Sequence, residues 1–206
     1  CFAARYKKQL QDLGFALWVS TPWLMEKYHA WRPTLCPPQN PYCHAERKDI
    51  VFYHGTASHM AEIEWLLPVF EKVVKQNKTI TIEVIGNKKV QQLFKQMDEV
   101  HVYYPMSWYS YRQLISNAGR IIGLAPLLST PFNQARSATK FFDITQAGAV
   151  GIYADSHVYA DTVVHGETGL LLPMDQDIWA EHIVHLAGQP KLRETMWKKA
   201  RDYIDQ

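Results

Sequence analysis

The chain has 206 residues, 47% apolar and 20% charged, with a formal net charge of +2. That length suits one domain, or one domain with a fragment of another, and the composition can fill a real core. The charge is too small for a nucleic-acid or membrane-surface partner, and the nine His by themselves imply no ligand.

The longest apolar run, near Ile121–Leu128, is far short of the ~20 residues that a spanning helix needs, so no transmembrane segment is expected. The opening residues CFAARYKKQL are mixed and polar, with no secretory signal and no initiator Met. They suggest a piece of a longer protein, with a cytoplasmic location as the expectation. Three Cys (Cys1, Cys36 and Cys43) do not describe a disulfide framework. Cys36-x6-Cys43-His44 fits no common zinc spacing, and no metal is expected.

In chain order, an apolar strand at Phe15–Ser20 precedes Thr21-Pro22, an N-cap followed by the favoured first helical residue. Trp31–Lys48 holds Pro33, Pro37, Pro38 and Pro41 and is expected to be an extended linker, because Pro removes backbone donors and stiffens the chain. A regular pattern then begins. Strands are expected at Ile50–His54, Thr79–Ile85, Val100–Tyr104, Arg120–Ala125, Val150–Ala154 and Gly169–Leu172. Helical spacing runs through Met60–Val74, Val90–Met97 and Trp108–Ile115. A long loop after Ala125 leads to a helix at Thr139–Ala147, stopped by Gly148. Helices around Ile178–Leu186 and Leu192–Tyr203 close the chain. Alternating short strands and helices mean βαβ units and a doubly wound, Rossmann-like parallel sheet. Ligands of such sheets sit beyond the carboxyl ends of the strands. The loops worth attention are therefore His54–Ser58, Gly86–Lys88, Pro105–Trp108, Pro126–Lys140 and Asp155–Thr168.

Two of these loops carry candidate chemistry. His54-Gly55-Thr56-Ala57-Ser58-His59 follows a strand directly; Gly55 allows a tight turn and close approach of backbone to a ligand. Ser58 could cap the next helix, whose amides favour an anion. The loop lacks G-x-G-x-x-G and the P-loop Lys, and a plain turn is the competing view. The second, Asn133-Gln134-Ala135-Arg136-Ser137-Ala138-Thr139-Lys140-Phe141-Phe142-Asp143, runs from loop into helix. Ser137 and Thr139 are candidate caps. Arg136 and Lys140 put cations beside a helix N-terminus, where only an anion makes them welcome, and a diphosphate would satisfy both. Asp143 shares a helix face with Lys140 and could accept from two ribose hydroxyls. The competing view is a solvated Lys–Asp pair. With Met106 from the Pro105–Trp108 loop, these segments are expected to line one cleft.

The ordered set His54-Gly55-Thr56, Gly123-Leu124-Ala125-Pro126-Leu127, Lys140-Phe141-Phe142-Asp143, Gln146-Ala147-Gly148-Ala149-Val150 and Gly166-Glu167-Thr168-Gly169-Leu170-Leu171 resembles the C-terminal, nucleotide-sugar-binding domain of GT-B glycosyltransferases, from about Lys48 onward. Val19-Ser20-Thr21-Pro22-Trp23-Leu24 resembles the end of that family's acceptor domain. The resemblance implies a remnant of the N-terminal acceptor-binding domain at 1–30, a linker at 31–48 and the donor domain at 49–206. It implies sugar transfer from a nucleoside-diphosphate sugar, as in polysaccharide biosynthesis, with no metal and no cofactor beyond the donor. The partner would be a largely missing N-terminal domain, and the fragment alone is expected to be nearly inactive. The donor-binding candidates are Gly55, Thr56, His59, Met106, Asn133, Arg136, Ser137, Lys140 and Asp143; the catalytic residues are unknown. Retaining members often carry E-x7-E. Asp143 stands at the second Glu, but Ala135 stands at the first. Loop cations common in the family are absent between Asp49 and Glu71, which leaves Arg136, Lys140 and backbone amides to hold a diphosphate. The alternatives are a non-catalytic nucleotide-sugar-binding or interaction module, and a sugar epimerase of the same fold.

Overall fold

Residues 17–19, 21–36, 49–55, 59–116 and 119–205 are described by a computed structural model. The chain forms two units, Cys1–Ala45 and Glu46–Gln206. In the first, β1 (Trp18–Val19) leads to α1 (Pro22–Lys27), a single 3-10 turn at His29–Trp31, and β2 (Thr34–Leu35). Thr21 caps α1, its hydroxyl accepting from Leu24 N at 3.2 Å, with Pro22 as first helical residue. β2 pairs with β1 in parallel, so the opening residues of the expected linker belong to the smaller unit. Residues 37–48, with Cys43 and His44, lie outside the described residues; Cys36 is an exposed free thiol.

The larger unit carries β3 (Asp49–His54), α2 (Met60–Gln76), β4 (Ile80–Ile85), α3 (Lys88–Leu93), β5 (Val100–Tyr103), α4 (Trp108–Ile115) and β6 (Arg120–Ala125). There follow α5 (Pro131–Gln134), α6 (Thr139–Gln146), β7 (Val150–Ala154), α7 (His157–Ala160), β8 (Leu170–Leu172), α8 (Gln176–Ala187) and α9 (Pro190–Ile204). All neighbours pair in parallel, in the order β5-β4-β3-β6-β7-β8. Every residue of β4 and β7 is buried, as expected for strands covered on both faces. One core holds Ile63, Leu66 and Phe70 of α2 and Trp179 and Ile183 of α8 against Val51, Ile82 and Leu124. The other holds Ile115, Phe141, Ile144 and Ala200 against Phe52. Trp179 is fully buried, and its indole N–H, which must find an acceptor there, donates to Pro173 O at 2.9 Å.

This sheet is a doubly wound Rossmann-like sheet, with strand order 3-2-1-4-5-6 when β3 is counted as the first. Order reverses between β3 and β6, so a crevice opens beyond their carboxyl ends. Two local features place α6 beside it. Gly123 of β6 has no side chain, and a Cβ there would sit 2.5 Å from Ile144 Cγ1, so the helix packs directly on the strand. Gly148, at φ +80°, then ends α6 with Ala149 N donating back to Ile144 O at 3.2 Å, a Schellman closure.

Two short helices of the larger unit, α5 and α7, fall within segments expected to be loops. Thr130 caps α5 by accepting from Asn133 N, and Pro131 opens the helix, the same Thr-Pro signal as at Thr21-Pro22. α3 ends at Leu93, with Phe94 as its C-cap, rather than continuing to Met97.

Candidate functional site

A cleft of about 830 Å³ lies at the carboxyl end of the sheet, where the strand order reverses. Of the expected site residues, Gly55, His59 and Met106 line it. So do Arg136, Ser137, Lys140 and Asp143. Thr56, with the remainder of its loop to Ser58, lies outside the described residues. Asn133 does not reach the cleft. Its side chain is turned inward, where the amide donates to Glu62 Oε1 at 2.7 Å and to Leu128 O at 2.9 Å. Gly55 must be small because a Cβ would lie 2.8 Å from the Tyr53 ring and 2.9 Å from His59 Cβ.

The start of α6 differs from expectation. Its N-cap is Ala138, with no side-chain cap; the hydroxyls of Ser137 and Thr139 bond each other instead, at 2.8 Å. An uncapped helix start keeps its first amides and the positive end of its dipole available.

Lys140 is not in a solvated pair with Asp143. Its half-buried ammonium donates to His54 O, at the end of β3, at 2.5 Å, and lies 4.9 Å from the centre of the Tyr53 ring. Burial above all pushes its pKa down to about 8; Asp143 opposes that and Arg136 adds to it. Burial also raises Asp143, against the pull of Lys140. Arg136 is held over the Phe132 ring at 4.8 Å and bonds His59 Nε2 at 2.8 Å. Among the described residues no carboxylate lies within ion-pair distance of Arg136 or Lys140. Two cations beside an uncapped helix start, without a carboxylate partner, make an electropositive recess fitted to an anion.

Another part of the lining is largely apolar. Pro105, Met106, Trp108 and Tyr111 form it, with the Trp108 and Tyr111 rings 5.6 Å apart. Beneath it lies a buried charge cluster absent from the sequence reading. Glu83 binds Arg120 at 2.6 Å, and His54 Nε2 stands 3.8 Å from the same carboxylate oxygen. Burial raises the Glu83 carboxyl, but His54 and Arg120 more than reverse this and hold it below its ordinary value. Burial lowers His54 more than Glu83 raises it, so the imidazole is held neutral. The available signal was Glu83 itself, the one charged residue in the run ITIEVI.

Solved structures share this fold. TarM of S. aureus, solved with fondaparinux, alpha-GlcNAc-glycerol and UDP, superposes with a TM-score of 0.63 at 13% identity, over 92% of this chain and 40% of that one. The C-terminal domain of the group 1 glycosyl transferase LpcC from Francisella tularensis gives 0.63 at 13% identity, covering 98% of this chain and 92% of that one. The pneumococcal O-GlcNAc transferase GtfA, solved with UDP and GlcNAc, gives 0.61 at 14% identity, over 97% and 44%. The chain has the Rossmann-like fold of a GT-B glycosyltransferase C-terminal domain. It spans less than half the length of TarM and GtfA and nearly all of the LpcC domain. No protein-family model matches the sequence, and no curated protein matches it by sequence. No helix among the described residues is long and apolar enough to cross a membrane.

Proposed function

We propose that this chain is the donor-binding part of a glycosyltransferase that moves a sugar from a nucleoside-diphosphate sugar to an acceptor. The observation that carries this reading is the pairing of Arg136 and Lys140 beside the uncapped start of α6, in the crevice where the strand order reverses. The diphosphate sits against those cations and amides, which stabilise the charge that grows on it as the glycosidic bond breaks. Asp143 accepts from the ribose hydroxyls, and the apolar wall at Met106 and Trp108 takes the base. TarM and GtfA, solved with UDP, make that nucleotide the first probe. The acceptor and the remaining catalytic groups belong to an N-terminal acceptor-binding domain of the same protein, and no metal is required.

The test is calorimetric titration of the chain with UDP, GDP and ADP. One nucleoside diphosphate binds, and Arg136→Ala weakens it. Absence of heat with all three at about 1 mM, a concentration matching only ~4 kcal/mol of binding free energy, overturns the reading. A second reading, a non-catalytic nucleotide-sugar-binding module, is favoured by one observation: Asp143 is the only carboxylate among the described residues that line the cleft. Sugar transfer or donor hydrolysis by the full-length protein decides between the two.

A further inference from the structure

Arg136 is a long side chain at a cleft wall, yet it is not left to wander. Its Nη1 lies 2.8 Å from His59 Nε2. A guanidinium has donors only, so Nε2 must be the unprotonated, accepting nitrogen. The imidazole proton then sits on Nδ1, which is buried and makes no hydrogen bond; Glu62 Oε2 stands 3.9 Å away, near enough to favour a proton on that nitrogen through its charge alone. Glu62 is 3% exposed, and its other oxygen is held by Asn133 at 2.7 Å. His59 is 8% exposed and makes no side-chain cap for α2, because its ring is committed to Arg136 instead. Burial, then Lys140 and Arg136, push its pKa down to about 4 against the pull of Glu62, in keeping with a neutral ring. A carboxylate behind one ring nitrogen while the other orients a functional group is akin to the arrangement behind metal-bound His; here the oriented group is a cation, and the carboxylate stands beyond hydrogen-bond reach.

We propose that Glu62 and His59 form a positioning dyad that holds Arg136 at the cleft wall for the phosphates of the ligand. This rests on the reading of the cleft as a nucleoside-diphosphate site. His59 borders the cleft, but its accepting nitrogen is occupied by Arg136, so its ring acts on the phosphates through the guanidinium. The dyad fixes the guanidinium before the ligand arrives, so that less side-chain freedom is lost on binding.

The test uses the whole chain with UDP and with inorganic pyrophosphate as probes, which separates phosphate binding from base binding. His59→Ala weakens both probes roughly tenfold, the effect of one hydrogen bond to a charged group. His59→Gln, whose side-chain carbonyl stands near the Nε2 position, restores most of that loss. In an Arg136→Ala background, His59→Ala adds nothing, since the dyad acts only through Arg136. Nitrogen-15 spectra of the His59 ring show Nδ1 protonated and Nε2 bare. Binding that survives His59→Ala, losses that add in the double variant, or a ring protonated on Nε2 each overturn the dyad while the cleft reading stands. Wild-type protein that takes up neither probe overturns both.

Discussion

Two clusters of the same three residue types flank Gly55, and they are wired differently. In the first, Glu83 and Arg120 close on each other at 2.6 Å with side chains 6% and 2% exposed, and His54 stands off at 3.8 Å. In the second, Arg136 bonds His59 at 2.8 Å while Glu62 stands off from the ring at 3.9 Å and takes its bond from Asn133. The first cluster satisfies its cation with its own anion and is sealed. The second leaves its cation without a carboxylate at the wall of a cleft. Charge matched inside the fold acts on stability; charge left unmatched at a concave surface is available to a ligand.

The largest expected effect separates the clusters by stability. Glu83→Ala strands a buried Arg120 and should cost about 3–5 kcal/mol in chemical denaturation. Arg136→Ala should leave stability nearly unchanged and act on nucleotide binding. Equal stability losses in the two variants would erase the distinction.

Acid should next act through His59. Its folded pKa of about 4 is below the ordinary 6.5, so the unfolded chain binds the extra proton first. Stability from this group is full above pH 6.5 and is lost as pH falls toward 4, by on the order of 3 kcal/mol across the window. His54 shifts in the same direction, so the readout is wild type against His59→Gln, whose acid slope should be shallower by that amount. Parallel slopes would mean that His59 titrates normally.

Smaller effects belong to α6. With the full-length protein and its donor, Lys140→Ala should lower turnover at least tenfold and weaken donor binding less, because its charge meets a leaving group whose charge grows in the transition state. Asp143→Ala should instead raise the apparent donor constant, with the smallest change in turnover, since the ribose changes little during reaction. Wild-type kinetics in both would remove α6 from the mechanism.

Much of the larger unit was legible because its signals are local. Period, Gly stops and β-branched runs gave all six main-sheet strands nearly to the residue. α5 was legible too, from Thr130-Pro131, but was absorbed into a long loop. What escaped is non-local. Asn133 stands three residues before Arg136 and shares its polar segment, yet its amide is spent on Glu62, 71 positions away. Ser137 and Thr139 have capping hydroxyls that turn to each other. Glu83 was hidden within an alternating strand, since its meaning depends on Arg120 from a strand that is not even its neighbour in the sheet.

The strand order also bears on how the protein comes to be competent. His54, Gly55 and His59 line the cleft together with residues from Pro126 to Asp143, and the two groups meet because β6 pairs beside β3 after two whole βα units have intervened. A long stretch of chain must be closed before that pairing is rewarded, and such closure is slow compared with forming a helix or a neighbouring βα unit. In refolding, helical signal should therefore rise ahead of nucleotide binding. β3, β4 and β5 can assemble their side of the sheet while α6 has yet to bring Lys140 to the His54 carbonyl, and the anion recess comes into being only when the chain has returned to the centre of the sheet.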